Sequence, residues 1–397
     1  MHNQQTTPDK PTFGFGWQIG VGVLSRFILS TSRRFVYPFA PVFSRELGVS
    51  LESVSLLIAA NQVTGLMSML FGPLGDRKGY RVMLLLGLGL LAAGMFIGGF
   101  FACYSAVLPA MFIAGLAKCI FDPAILAYIG KQVPYHRRAT AIGIIEMSWA
   151  GSSLIGIPLM GLLIEHLSWR APFFVIGGLS LLCLASVAVV IPEDKNSSAP
   201  SGNLSDFIKA WRKLYRERAA LGGMGFAFFV SAANDNLFVV YGAWLEKSFS
   251  LSIVALGMAT TVIGVAELFG EGLTVYLSDR FGKRRCLTIG LILSALCYAI
   301  LPLSGHNLTL ALSALFAVFL TTEFAIVTSL SFFTEVLPGA RATMISGYLT
   351  AAGLGRVFGA LVGGFAWTAW GIWATGFVSA FITIVGLIFL LWGIKKK

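Results

Sequence analysis

The chain has 397 residues, of which 56% are hydrophobic and only 12% charged, and a formal net charge of +11. A soluble domain carries about 25% charged residues and few long apolar runs. The composition therefore excludes a soluble enzyme or binding module and indicates an integral membrane protein.

Taken in chain order, residues 1–12 are polar and lack the basic, apolar and small-residue pattern of a cleaved signal peptide, so the first span is expected to be the targeting element. A helix needs about 20 mostly apolar residues to cross the hydrocarbon core. Twelve segments meet that need, at 15–43, 52–75, 81–103, 106–131, 138–165, 170–191, 220–246, 252–278, 285–303, 308–335, 341–366 and 370–393. Pro38, Pro41, Pro123 and Pro158 fall inside spans, where neighbouring helices re-satisfy the freed carbonyls, so broken or flexed helices are expected. Most Lys and Arg lie in the connections around 76–81, 131–138, 192–219 and 279–285 and in the tail 395–397. Positive residues stay on the cytoplasmic side, which puts both termini in the cytoplasm. The excess charge is then a signal of topology, and no nucleic-acid partner is expected.

Cys103, Cys119, Cys183, Cys286 and Cys297 show no CxxC spacing, and His2, His136, His166 and His306 form no ligand pair. No disulfide, metal or cofactor is expected.

The chain repeats itself. "GPLGDRKGYR" (72–81) and "VYLSDRFGKR" (275–284) share Leu-x-Asp-Arg-x-Gly-x-Arg at an offset of 203 residues, and the same offset carries "RATAI" (138–142) onto "RATMI" (341–345). It also carries Gly156 and Gly161 onto Gly359 and Gly364. Three matches in one register indicate a duplication: a six-helix half at 1–191, a second at 220–397, and between them a linker with an amphipathic surface helix at 192–219.

Two six-span halves with Asp-Arg-x-Gly after span 2 and again after span 8 resemble the major facilitator superfamily over the whole chain. The resemblance implies an all-α membrane fold of twelve helices in two pseudo-symmetric halves, which rock about a central cavity to expose one site to each side in turn. It also implies a gating latch of Gly72, Asp76, Arg77, Gly79, Arg138, Asp279, Arg280 and Arg341, in which the carboxylate after span 2 faces the positive start of span 11. Val275 stands where the first copy has Gly72. The plainer reading of Asp76 and Arg77 is a solvated turn. Bacterial proton-coupled exporters of the superfamily carry a Gly-rich span 5 with Gly-Pro; here the order is Gly156-Ile157-Pro158, and close helix packing explains the glycines as well.

Ionisable residues inside spans usually face a cavity and pair with one another. Arg26, Ser30, Arg33 and Tyr37 share one helix face, with Arg34 about 100° off it. Arg33, Tyr37 and Arg26, with Asn234 and Arg356 in the second half, are the candidate substrate-binding residues. Arg33 suits either an anionic substrate group or the carboxylate of Asp235. Arg34 is expected to support a neighbouring helix or reach a polar edge. Lys118 and Asp122 are four apart and can neutralise each other, and Glu146 is expected near Arg137 and Arg138. Asp235, Glu267, Glu271 and Glu323 are the candidate proton-coupling residues, because a carboxylate held away from water takes up a proton more readily.

The resulting expectation is a monomeric secondary active transporter of the bacterial cytoplasmic (inner) membrane. It would move a small organic or amphipathic solute, anionic in one version, coupled to protons, with export favoured over uptake. A lipid flippase and a non-transporting sensor use the same fold. A membrane enzyme is disfavoured, since no nucleophile elbow or nucleotide loop is present.

Overall fold

The computed structural model describes residues 14–67, 71, 74, 78–132, 144–193, 212, 214–333 and 341–394. The described secondary structure is helical throughout. In the first half the helices are α1 (Phe15–Arg34), α2 (Ala40–Leu47), α3 (Leu51–Val63), α4 (Tyr80–Phe100), α5 (Tyr104–Gln132), α6 (Ile144–His166) and α7 (Ala171–Val190). In the second they are α8 (Arg218–Phe238), α9 (Tyr241–Phe249), α10 (Ile253–Phe281), α11 (Lys283–Ile300), α12 (Leu308–Phe333) and α13 (Arg341–Ile394).

Among the described residues, nine helices are long and apolar enough to cross a membrane, or ten if the bent pair Ala40–Leu47 and Leu51–Met67 is one span. The difference from twelve has physical causes. α1 carries Arg26, Arg33 and Arg34, which lower its hydropathy, and α3 is described only as far as Met67 in its helical run. α13 has 54 residues, about 81 Å at 1.5 Å per residue, far more than a bilayer needs. Gly371 (φ 66°, ψ −151°) divides it into two spans.

The duplication extends to backbone detail. Gly79 (φ 90°, ψ 142°) and Gly282 (φ 84°, ψ 131°) occupy the same positive-φ conformation one residue before α4 and α11, at the offset of the repeated motif. That conformation is open to glycine and strained for other residues. At the opposite end of the bundle, Gly48 (φ 64°) and Ser250 (φ 52°) close α2 and α9, and Ser50 and Ser252 then cap α3 and α10 with their hydroxyls. Spans 1 and 7 are likewise each broken two-thirds of the way along. Pro38 and Pro41 explain the break in span 1; the one at Val239–Val240 has no proline.

The two halves close on each other at the end remote from the basic connections. Arg45 and Glu246 form an ion pair there (2.8 Å). Gly242 of α9 lies so close to the carbonyl of Pro38 that an added Cβ would stand 2.2 Å from it. α6 and α10 cross with Gly161 and Gly257 in contact, and Gly364 of α13 abuts Ser55 of α3. In this superposed pattern of small residues the backbones approach closely. Toward the basic end the polar interior becomes accessible: side-chain exposure rises from 5% at Glu267 to 23% at Asp122 and 44% at Glu146.

Candidate functional site

The break after Arg34 sets the site's geometry, because it turns the last residues of α1 into the interface between the halves. Arg34 is 3% exposed and forms a two-pronged pair with Glu267 of α10, at 2.6 and 3.2 Å. Its guanidinium also donates to the carbonyl of Trp149 (3.3 Å) and lies 4.3 Å from the centre of that indole ring. Ser153 donates to the same Glu267 carboxylate at 3.2 Å. Arg34, expected to support a neighbouring helix or reach a polar edge, is the buried ionic bridge between the halves. A helical-wheel argument for an unbroken span could not place it there.

Arg33 goes the other way. It donates to the side-chain oxygen of Gln62 on α3, Gln62 donates to the Tyr37 hydroxyl (2.5 Å), and Tyr37 donates to Asp235 of α8 (2.8 Å). Arg356 of α13 lies at 4.0 Å from the other oxygen of Asp235. Arg33 and Asp235 therefore do not pair directly; Gln62 and Tyr37 relay between them. Among the described residues Arg33 is buried, pairs with no carboxylate, and has a buried Nε with no hydrogen-bond partner.

The third group lies within the first half. Arg26 binds Glu146 (2.8 and 2.9 Å) and approaches Asp122 (3.4 Å), while Lys118 binds Asp122 (2.9 Å) and Ser30 (3.1 Å). The intrahelical Lys118–Asp122 pair expected from spacing is present. Glu146 binds Arg26; Arg137 and Arg138, its expected neighbours, lie outside the described residues. Arg26 is thereby committed to carboxylates of the protein, unlike Arg33.

Trp149 sits where these groups meet. Besides Arg34, Lys118 lies 5.7 Å and Arg356 5.9 Å from its ring centre, and the negative face of an indole favours such cations. Phe238 offers a second ring 5.2 Å from Arg34. Sequence reasoning missed Gln62, Trp149 and Ser153. Gln62 and its neighbour Asn61 are amides in an apolar run and could have been flagged; nothing local marks Trp149.

Glu271 lies one turn from Glu267, and Glu323 of α12 packs on Gly270, between them in sequence. Among the described residues neither Glu271 nor Glu323 has a hydrogen-bond or ion-pair partner. Asn234 is partly buried beside Asp235. Of the latch, Gly72, Asp76, Arg77 and Arg138 lie outside the described residues, and only the backbone is described at Asp279 and Arg341. Arg280 is exposed and stacks on Tyr276 (4.4 Å).

A family model for the Major Facilitator Superfamily matches residues 22–241 and again 223–397. The chain is 26% identical over 340 residues to the uncharacterized MFS-type transporter YceJ of Bacillus subtilis, covering 85% of this chain and 86% of that one. It is 25% identical over 307 residues to the multidrug resistance protein MdtG of Klebsiella pneumoniae, covering 74% and 72%. Among solved structures, a bacterial homolog of the human lysosomal transporter Spinster, inward-facing and unoccupied, superposes with a TM-score of 0.77 at 16% identity over 96% of both chains. The peptide transporter POT in complex with sulfate gives 0.79 at 13% identity, over 96% of this chain and 95% of that one.

Proposed function

The chain belongs to the major facilitator superfamily and is a multi-pass secondary transporter, and we propose that its substrate is a small amphipathic organic anion, exported in exchange for protons. The observation that carries the reading is Arg33. A buried guanidinium without a carboxylate is costly unless something neutralises it, and Arg33 lies beside the Arg356–Asp235 group at the junction of the two halves. A carboxylate, sulfonate or phosphonate on the substrate supplies that charge, gripped by the fork of a guanidinium. Trp149 and Phe238 offer flat apolar surface for the rest of the molecule. Tyr37, Asn234 and Arg356 complete the proposed substrate contacts, with Arg26 a positioning group through its carboxylates.

Proton coupling rests on Glu267, Glu271 and Glu323 with Asp235. Three carboxylates share the α10–α12 face, and among the described residues only Glu267 has a cation, Arg34. A proton on Glu271 or Glu323 relieves their repulsion, and one reaching Glu267 frees Arg34 and loosens the bridge between the halves. The likeness to MdtG favours export. We place the protein, as a monomer with two six-helix halves joined by the 192–219 linker, in a bacterial cytoplasmic membrane with both termini inside. The Asp76 latch holds the basic end shut when the other end opens.

The test is counterflow in proteoliposomes with a panel of amphipathic anions, cations and neutral compounds. We expect anions alone to exchange, and Arg33→Gln to abolish it. Exchange of cations with equal vigour in wild type and Arg33→Gln would refute the reading.

A further inference from the structure

At the basic end of the second half, α8 and the two spans of α13 leave an open cavity of about 420 Å³. It is walled by Met224, Phe228, Ala351, Leu354, Phe389 and Trp392, and its size falls in the range of ligand sites. Leu354 and Trp392 are each more than 40% exposed, so the cavity faces outward from the bundle rather than into its core. Its rim is cationic. The Arg218 guanidinium lies over the Trp392 ring at 5.0 Å, and its buried Nε has no hydrogen-bond partner. Arg212 and Arg216, both exposed, stand on the segment leading into α8, and Tyr215 between them lines the cavity. A second cavity, about 280 Å³ between α1, α6 and α7, has no charged residue in its lining.

We infer that this cavity is a binding site for an anionic phospholipid of the leaflet at the basic end, its phosphate on Arg218 and Arg216 and an acyl chain in the apolar cavity. Arg218 and the Trp392 indole mark the end of the cavity at the start of α8, while Phe228 and Leu354 line it further along their helices, an order that matches a headgroup followed by an acyl chain. Basic pockets between helices at the cytoplasmic face suit anionic headgroups, and each cation near such a surface contributes about a fivefold gain in affinity. Leu214 packs on Gly347 beside the cavity, so a lipid seated there also braces the junction between the linker and span 11.

Native mass spectrometry of the purified full-length protein, titrated with phosphatidylglycerol or phosphatidylcholine of identical chains, tests the site. Wild type should retain one phosphatidylglycerol in preference to phosphatidylcholine. Arg216→Gln and Arg218→Gln should each weaken retention about fivefold, and Ala351→Phe, which fills the cavity and leaves the cations intact, should abolish it. Glycerol 3-phosphate, a headgroup without a tail, should not compete. Melting in detergent reports folding, and if Arg218→Gln fails to fold, the exposed Arg216 and Ala351 variants decide. Equal retention of the two lipids, unchanged retention in Ala351→Phe, or displacement by glycerol 3-phosphate at lipid-like concentration would each overturn the inference.

Discussion

Arg33 and Arg34 are neighbours in sequence with different surroundings, and the difference governs what each can do. Arg34 and Glu267 are a compensated pair, 3% and 5% exposed, with Ser153 and the Trp149 carbonyl filling further hydrogen-bond capacity. Removing one partner strands a buried charge, a loss of about 3–5 kcal/mol, whereas replacing both with apolar residues is often neutral. We therefore expect Arg34→Met and Glu267→Met each to lower the melting temperature in detergent, and the double variant to recover most of the loss. A double variant as unstable as the sum of the two singles would mean that the pair is not one unit. Little of this was legible in sequence. The Lys118–Asp122 pair followed from helical spacing; the stripe of Arg26, Arg33 and Tyr37 did not persist, because α1 ends at Arg34 and Tyr37 lies beyond the break. The Arg34–Glu267 bridge joins residues 233 apart, and only the fold, which brings the end of α1 within side-chain reach of α10, reveals it.

At the scale of elements, the repeat was legible because duplication left the same residues at one offset. The paired glycines before α4 and α11 were visible as part of Asp-Arg-x-Gly, and the structure supplies their reason, a backbone with positive φ. The break in span 7 was not legible: it lies at Val239–Val240, with β-branched residues and no proline, and only its counterpart in span 1 announces it. Ser250 holds the position that Gly48 holds in the first half, and a non-glycine residue there costs about 1–2 kcal/mol. Ser250→Gly should thus raise the melting temperature without altering transport; a lower one would show that the hydroxyl matters more than the backbone. Gly242 gives the opposite case. A methyl there meets the Pro38 carbonyl, so Gly242→Ala should wedge the halves apart. Spin labels at Glu46→Cys and Lys247→Cys, in a background without the native cysteines, should report a longer distance. An unchanged distance would mean that α2 and α9 do not form the gate.

The whole molecule is two halves joined by glycine-rich crossings at one end and accessible at the other. That the molecule is an all-helical membrane protein was legible from the apolar runs, a property of composition; the state of the gates was not, because it depends on which contacts between halves persist. Reporter fusions after Lys195 and Lys397 should both signal cytoplasm, and a periplasmic signal at either would reject the arrangement. Coupling also belongs to this scale. Glu323→Gln should leave counterflow intact, since exchange needs no net proton movement, while flattening the pH dependence of uphill transport. Unchanged uphill transport would move coupling to Glu271 or Asp235.

The central claim, that Arg33 anchors the substrate's anionic group at the junction of the halves, is tested most directly by equilibrium binding of a transported anion to wild type, Arg33→Gln, Asp235→Asn and the double variant. An anchor predicts that Arg33→Gln loses at least about thirtyfold in affinity, on the order of 2 kcal/mol or more. It further predicts that Asp235→Asn restores none of that loss, since Arg33 reaches Asp235 only through Gln62 and Tyr37. Wild-type affinity in the double variant would contradict the account and make Arg33 a structural partner of Asp235.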